Sequence, residues 1–311
     1  MHADEIGSIL LLTTELRRSE LARDPADHRE QARSYGKPNM QINDHDAIRQ
    51  QVRSAYAAVA NTGSSCCTTA PAPGGCCAPS ELSVAELLSR GIGYSADETA
   101  AVPEGANLGL GCGNPQAIAA LKAGECVLDL GSGAGFDCFL AARVVGPQGR
   151  VIGVDMTPDM ISKARGNAAK GGLTNVEFRL GEIEHLPVAD ASIDVIISNC
   201  VINLSPDKAQ VFRDAFRALK PGGRLAISDI VLTAELPAEM RAEVALYTGC
   251  VAGAASVADL VVVLAGAGFS AIRIAPKDAS REYIQHWAPG RGVENFIASA
   301  NIEAVKPLEQ T

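Results

Sequence analysis

The chain has 311 residues, of which 47% are hydrophobic and 20% charged, as is typical of a globular protein with a sizeable core. Its net charge of −9 argues against a nucleic-acid-binding role. We find neither an apolar run long enough for a membrane helix nor the pattern of a secretion signal, so we expect a cytoplasmic protein that binds neither nucleic acid nor membrane.

The sequence begins with a polar, charged stretch, residues 1–44, which we interpret as an N-terminal extension. A helix is predicted at Ala47–Val59, and residues 61–80 are rich in Gly, Ser, Thr and Pro, which predicts a loop. Nine cysteines occur along the chain. Their odd number, without a secretion signal, argues against a disulfide framework and favours buried, catalytic or ligand-binding thiols.

From about residue 121, short apolar runs alternate with helical segments, which predicts a parallel sheet with helices on both faces. The predicted strands are Cys126–Leu130, Val151–Val154, Val176–Leu180, Ile193–Ser198 and Leu225–Val231. The predicted helices are Phe136–Val145, Pro158–Lys170 and Ser205–Leu219, the last capped by the Ser205 hydroxyl and stopped by Pro221-Gly222-Gly223. Residues 260–274 are predicted to form a helix, a turn and a further strand.

A glycine-rich loop follows the first predicted strand, in the order D-x-G-x-G-x-G from Asp129 to Gly135. Glycines let a backbone turn tightly and approach a ligand closely. Asp155 ends the next strand, where an acid binds the ribose hydroxyls in nucleotide-binding folds, because a carboxylate can accept both hydrogen bonds. A structural turn for the loop and a strand-end cap for Asp155 are the alternatives.

These pieces resemble the class I S-adenosylmethionine methyltransferases over residues 121–275, through segments 127–135, 153–156, 181–187 and 219–223. The resemblance implies a Rossmann-like core with a mostly parallel seven-stranded sheet and S-adenosylmethionine as cofactor. It implies that Met156 packs on adenine, unless it is core filler, and it leaves open whether Glu182 or Glu184 accepts from the adenine amino group. The residues it assigns to the cofactor are Asp129, Gly131, Ser132, Gly133, Gly135, Asp155, Met156, Glu182, Ile183, Glu184 and Asn199.

Three cysteines lie in unusual surroundings: Cys112 in a glycine-rich segment, Cys200 directly after a predicted strand, and Cys250 between two glycines. A single cysteine is ordinarily a small buried hydrophobe, but all three lie where the chain crosses the carboxyl edge of the predicted sheet. Their segments resemble the arsenite methyltransferase family, with the similarity running from about residue 45 to the end. The resemblance implies that Cys112, Cys200 and Cys250 bind trivalent arsenic. Cys126 and Cys138 are predicted to pack in the core.

Thiolates are soft ligands, and three of them on trivalent arsenic leave its lone pair free to take the methyl group. Methyl transfer formally oxidises arsenic, so we expect a thiol reductant, glutathione or thioredoxin, as co-substrate. The candidate redox relay is Cys66, Cys67, Cys76 and Cys77, of which the resemblance implies that one pairs with Cys112. An adventitious metal-binding segment is the alternative.

Four regions are therefore predicted: the extension (1–44), a helical and cysteine-rich segment (45–120), the cofactor-binding core (121–235) and a C-terminal part that completes the sheet and the arsenic site (236–311). Residues 45–120 and 236–311 would form a small lid. We expect a monomer that methylates arsenite for detoxification. A small-molecule C- or O-methyltransferase of the same fold, and a non-catalytic protein that sequesters soft metals, are the alternatives.

Overall fold

The computed structural model describes residues 45–62 and 82–308, whose centre is a mixed sheet of eight strands. The strands are β1 (Cys126–Leu130), β2 (Arg150–Asp155), β3 (Val176–Leu180), β4 (Ile193–Asn199), β5 (Leu219–Leu232), β6 (Ala255–Ser256), β7 (Ser270–Pro276) and β8 (Ile297–Val305). Seven of them follow the order β3-β2-β1-β4-β5-β8-β7, and the two-residue β6 pairs with β5. Strand β8 runs antiparallel to both of its neighbours, whereas the other pairs are parallel.

Helices cover the sheet and its carboxyl edge. They are α1 (His45–Thr62), α2 (Val84–Gly91), α3 (Ala96–Ala100), α4 (Gln116–Ala119), α5 (Phe136–Val145), α6 (Pro158–Lys170), α7 (Lys208–Ala218), α8 (Ala238–Arg241), α9 (Val244–Thr248), α10 (Val257–Gly266) and α11 (Arg281–Ile284). Helix α6 begins with proline at its first turn, where the missing N–H costs nothing. No helix in the two described ranges is long and apolar enough to cross a membrane.

Both faces of the sheet are buried, which explains the continuous apolar runs in the parallel strands. Side chains alternate along a strand, so Val127 joins one hydrophobic cluster and Leu128 joins the other. Phe139 and Phe178 meet edge to face in the cluster with Val127, and Phe216 and Phe269 do the same at the cluster with Leu128.

The Rossmann-like class I methyltransferase fold is confirmed, but the predicted bounds of α7 and the predicted start of β5 were wrong. The hydroxyl of Ser205 does not cap α7; Asp207 does, accepting from the Gln210 amide at 2.9 Å, while Ser205 donates to Glu184 at 2.7 Å and accepts from the Asp207 amide at 3.1 Å. Helix α7 ends at Ala218. Leu219 already belongs to β5, where it pairs with Ile193 of β4.

Strand β5 starts earlier than predicted because it contains a bulge. Ile193 pairs with Leu219 and Val195 pairs with Arg224, so residues 220–223 are accommodated as an irregularity within the strand. Gly222 has a φ of +79°, which favours glycine over other residues. The Pro-Gly-Gly sequence therefore bends the strand rather than separating it from the helix.

Candidate active site

A cavity of about 310 Å³ opens at the carboxyl ends of β1, β2 and β4. It is the position at which open α/β sheets bind ligands, because the loops after neighbouring parallel strands diverge there. Its lining includes the loop after β1, the end of β2 and two of the three cysteines that the sequence singled out, Cys200 and Cys250.

The glycine loop after β1 lies against the ends of β2 and β4. Gly131 has a φ of +69°, and a Cβ on it would lie 2.4 Å from the side chain of Val201, so the close approach requires glycine. The amide of Gly133 donates to Asp155 Oδ2 at 3.0 Å, which ties the loop to β2. The backbone of the loop is thereby exposed to the cavity.

Two other loop residues differ in what they offer a cofactor. Ser132 lines the cavity, and in the part of the chain that the structure describes its buried Oγ has no hydrogen-bond partner, so it is available to a ligand. A Cβ on Gly135 would lie 2.7 Å from Phe139 and 2.8 Å from Phe178, which places this glycine in helix–strand packing. Gly135 does not line the cavity, and a cofactor contact at this residue stays a prediction.

Asp155 ends β2 and lines the cavity, and its role as a ribose-binding acid stays a prediction. Its Oδ1 accepts from the Thr157 amide at 2.8 Å and its Oδ2 from the Gly133 amide at 3.0 Å, and the Thr157 side chain also hydrogen-bonds to this carboxylate. Burial raises the pKa of this carboxyl, an effect that the two amide hydrogen bonds oppose. Met156 and Ile183 also line the cavity, beside the acid.

The two candidate adenine-binding glutamates have different surroundings. Glu184 is 3% exposed, lines the cavity, and accepts from Ser205 Oγ at 2.7 Å and from Arg49 at 3.1 Å. Glu182 lies outside the cavity lining and pairs with Arg49 at 3.5 Å and with Arg53 at 3.3 Å. These ion pairs fasten α1 over the cavity, and of the two acids only Glu184 borders it.

The three candidate arsenic ligands converge from three separate segments. Cys112, Cys200 and Cys250 are 0%, 8% and 3% exposed, and all are unoxidised members of one hydrophobic cluster. Hydrogen bonding to the thiols of Cys112 and Cys250, together with burial, raises the pKa of the Cys200 thiol well above its usual value. The Cys250 thiol also donates to the Cys200 carbonyl at 2.8 Å.

Backbone conformation directs two of these thiols. Cys200 and Cys250 have φ of +58° and +63°, in the left-handed region that costs a residue with a Cβ about 1–2 kcal/mol. Strain of this kind persists only where surrounding contacts hold it, and it clusters at functional sites. The Cys200 amide donates to the Ser228 carbonyl on β5 at 2.8 Å, which fixes the turn after β4.

Hydrogen bonds hold Cys112 at both of its peptide groups. Its amide donates to Asn199 Oδ1 at 3.0 Å, and its carbonyl accepts from Tyr283 OH at 2.7 Å and from Ser299 Oγ at 2.6 Å. Asn199 Nδ2 donates to the Gly113 carbonyl at 2.8 Å. The Asn199 side chain, predicted to bind cofactor, lines the cavity but is engaged by the Cys112 segment.

A network of buried acids lies behind the glycine loop. Tyr94 OH donates to Asp137 at 2.7 Å, and the Cys138 thiol donates to Asp129 at 3.2 Å. Burial, with the nearby Asp137 carboxylate, raises the pKa of Asp129 well above its usual value. Cys138 is fully buried in this network, and Cys126 is half-buried at the start of β1, as expected of packing residues.

Similarity to known proteins agrees with this geometry. A family profile described as a methyltransferase domain matches residues 121–285. The arsenite methyltransferase of Halobacterium salinarum is 56% identical over 269 residues, which are 85% of this chain and 68% of that protein. The chain belongs to the arsenite methyltransferase family.

Two other relatives show how far the similarity to arsenite methyltransferases reaches. The human arsenite methyltransferase is 41% identical over 157 residues, which are 48% of this chain and 42% of that protein. The crystal structure of an arsenic(III) S-adenosylmethionine methyltransferase from Chlamydomonas reinhardtii superposes with a TM-score of 0.54 at 32% identity, covering 72% of this chain and 75% of that one. S-adenosylmethionine is the methyl donor of this family.

Sequence reasoning missed several residues that form the site in this arsenite methyltransferase family member. Tyr283 and Ser299 hold Cys112 from distant segments, and Asp229 lies beside Cys112 and Cys200. Asp229 carried a signal, because it is a charged residue inside the apolar run of β5. His286 and Trp287, interpreted from the sequence as packing, both line the cavity, and Trp287 also packs on the cysteine cluster.

The predicted redox relay, Cys66, Cys67, Cys76 and Cys77, lies outside the described residues. So does the extension, residues 1–44. Their roles stay predictions.

Proposed function

We propose that this protein transfers the methyl group of S-adenosylmethionine to trivalent arsenic bound by Cys112, Cys200 and Cys250. The observation that carries the proposal is the clustering of the three cysteines: the Cys112 and Cys200 thiols lie within 4.8 Å of each other, the Cys250 thiol donates to the Cys200 carbonyl at 2.8 Å, and Cys200 and Cys250 line the cavity that the glycine loop also lines. The names of the most similar proteins support arsenite as the methyl acceptor.

The ligand set suits arsenic because thiolates are soft donors and the surroundings are dry. Each thiol proton can leave with a hydroxide of arsenous acid, so that three thiols release three waters and no net charge enters the buried site. Neutral arsenic trithiolate then retains one lone pair. The apolar cluster around the thiols excludes the water that would compete for arsenic.

The cofactor would be held by the groups already described around the glycine loop. Asp155 would accept from the ribose hydroxyls, Ser132 Oγ would donate from its buried position, and Glu184 would border the adenine. When bound, S-adenosylmethionine supplies a sulfonium methyl group, whose bond to sulfur breaks as the arsenic lone pair forms the new As–C bond.

The protein's contribution would be to hold the reacting atoms in place, since the arsenic lone pair carries no proton that a base must remove. Positioning of this kind can supply about 7–11 kcal/mol of the barrier. Two left-handed cysteines and the hydrogen-bonded Cys112 segment provide the rigidity. A C- or O-methyltransferase would instead need a base beside its acceptor.

Arsenic becomes formally pentavalent and positively charged when it gains the methyl group. Attack of an outside thiolate on an arsenic-bound cysteine sulfur would form a disulfide and return an electron pair to arsenic. We assign this attack to one of Cys66, Cys67, Cys76 and Cys77, and the final reduction of the disulfide to glutathione or thioredoxin.

The test is an assay with methyl-labelled cofactor, arsenite and a thiol reductant, with separation of the arsenic products. Cys112→Ser, Cys200→Ser and Cys250→Ser should each abolish transfer to arsenite, because a hydroxyl is a hard ligand and a poor replacement for thiolate. The matched control is Cys126→Ser, a half-buried thiol remote from the cavity, which should keep full activity.

Cofactor affinity, measured by calorimetry without arsenite, should be unchanged in the three variants. This separates loss of the acceptor site from loss of folding. Full methylation by all three serine variants would refute the three-thiolate site. Stoichiometric arsenite binding without any turnover would instead favour a metal-sequestering protein.

A further inference from the structure

A carboxylate lies beside two of the thiols. One ligand atom from each of Cys112, Cys200 and Asp229 lies within 4.8 Å of the other two, and all three residues are buried. Trivalent arsenic prefers sulfur and gives no reason for an oxygen ligand in this position. Two thiols and a carboxylate therefore favour a different ion from the one that three thiols favour.

Asp229 is held in place by hydrogen bonds from the N–H groups of three residues, Ile202, Asn203 and Ile230. Its Oδ1 accepts from Asn203 Nδ2 at 2.9 Å and from its neighbour's amide, that of Ile230, at 2.7 Å, which fills both lone pairs. Its Oδ2 accepts from the Ile202 amide at 2.8 Å, and the main-chain amide of Asn203 also hydrogen-bonds to this carboxylate. These N–H groups fix the carboxylate beside the two thiols, where one of its oxygens lies within reach of a shared cation.

We propose that Cys112, Cys200 and Asp229 form a binding site for a divalent cation of the zinc type. Zinc is borderline-soft, accepts thiolate sulfur and carboxylate oxygen together, and completes four-coordination with a water or a further ligand. Binding would displace the two thiol protons to solvent. The proposal does not rest on arsenite being the methyl acceptor.

The surroundings of the cluster fit the charge of such a complex. Zinc with two thiolates and a carboxylate carries one net negative charge, which is costly in a buried site unless it is compensated. The ammonium group of Lys208, at the start of α7, attracts both Asp229 and Cys250 electrostatically. Cys250 does not belong to this group of mutually close ligand atoms in the described part of the chain, so we expect water as the fourth ligand.

The experiment measures zinc affinity by competition with a chromophoric chelator, without arsenite or cofactor. It uses the full chain with Cys66, Cys67, Cys76 and Cys77 all changed to serine, because those adjacent thiols would bind zinc themselves. We expect one zinc per chain. Cys200→Ser should remove binding, and Asp229→Asn should weaken it by at least about 100-fold, since even outer ligands change metal affinity by 10–100-fold.

The matched control is Cys138→Ser. This thiol is also buried and also bonds to an aspartate, Asp129, but no second thiol is grouped with that pair in the described ranges. Zinc affinity should not change in this variant. Equal affinity of Asp229→Asn and the parent protein, or binding that survives in Cys200→Ser, would overturn the proposal.

Circular dichroism shows whether Asp229→Asn folds, since N–H groups of Ile202, Asn203 and Ile230 all donate to the aspartate. X-ray absorption at the zinc edge of the parent protein gives an answer that does not need the variant. We expect sulfur at about 2.3 Å and oxygen at about 2.0–2.2 Å in one shell. A shell of sulfur alone, or of nitrogen and oxygen alone, would overturn the site.

The zinc result is separable from the methylation result. Absence of zinc binding with intact arsenite methylation would refute this site and leave the three-thiolate proposal standing. Zinc binding in a chain that methylates no arsenic would support the zinc site and refute the methylation proposal.

Discussion

Replacing Tyr283 by Phe and Ser299 by Ala, singly and together, tests how the Cys112 segment is held. Both hydroxyls donate to the same buried carbonyl, that of Cys112, at 2.7 Å and 2.6 Å. Each single variant leaves that carbonyl one donor. A single hydrogen bond is worth about 0.5–1.5 kcal/mol net, so each single change should lower the free energy of unfolding by about 1 kcal/mol.

The double variant should cost more than the sum of the two. With both hydroxyls gone, the Cys112 carbonyl loses both of its donors in the described structure, and an unsatisfied buried acceptor costs a further 1–3 kcal/mol or so. The interaction free energy of the double-mutant cycle should therefore be about 1–2 kcal/mol. Denaturant unfolding, with the slope checked for each variant, measures it.

A matched cycle pairs Ser299→Ala with Tyr247→Phe. Tyr247 OH also donates to a carbonyl near the cysteine cluster, but to that of Leu204, at 3.3 Å. These two changes share no acceptor, so they should add within about 0.5 kcal/mol. Additivity in the Tyr283 cycle as well would refute the reasoning, because it would mean that another donor satisfies the Cys112 carbonyl.

Three further predictions concern the cofactor loop and the sheet. Asp155→Ala should weaken cofactor binding by about 10- to 100-fold in calorimetry, because charge-assisted hydrogen bonds are lost, while arsenite affinity stays the same; an unchanged cofactor affinity would contradict the assigned role. Gly131→Ala should lower stability and cofactor affinity together, since the φ of Gly131 is +69° and a Cβ would lie 2.4 Å from Val201. Adding Val201→Ala should relieve the steric contact and restore only that part of the loss. The hydrogen bond from Arg179 lowers the pKa of Glu177 from 4.5 to about 2. This acid therefore stabilises the fold above about pH 4.5 and loses the effect as the pH falls towards 2. The difference in unfolding free energy between Glu177→Gln and the parent, measured with denaturant, should shrink over that window rather than stay constant.

The sequence predicted the parallel half of the sheet well because buried parallel strands are short, apolar and separated by strong helix signals. The run Cys126–Leu130 and helix Phe136–Val145 were placed at their observed bounds for this reason. Strand β8 was not predicted, although it lies between β5 and β7. Its position depends on pairing across more than 60 residues of chain, which local periodicity does not contain.

The residues of the candidate site also fall into those that local sequence could predict and those that it could not. Asp155 and Gly131 could be found because their roles depend on a short loop and its two flanking strands. Tyr283 and Asp229 could not be assigned roles, because their contacts with the Cys112 segment join residues more than 100 positions apart. The sequence predicted Asn199 at the cavity, but it did not predict the hydrogen bond that Asn199 accepts from the Cys112 amide.

Three adjacent strands supply most of the cysteine environment. Cys200 follows β4, Asp229 belongs to β5, and Ser299 to β8, and these strands are neighbours in the middle of the sheet. Amide exchange in such a region requires nearly global unfolding, so this wall of the cavity cannot open by itself. Cys250 instead follows the five-residue helix α9. We therefore expect amide exchange to be faster around Cys250 than around Cys200, because no central strand of the sheet holds that segment.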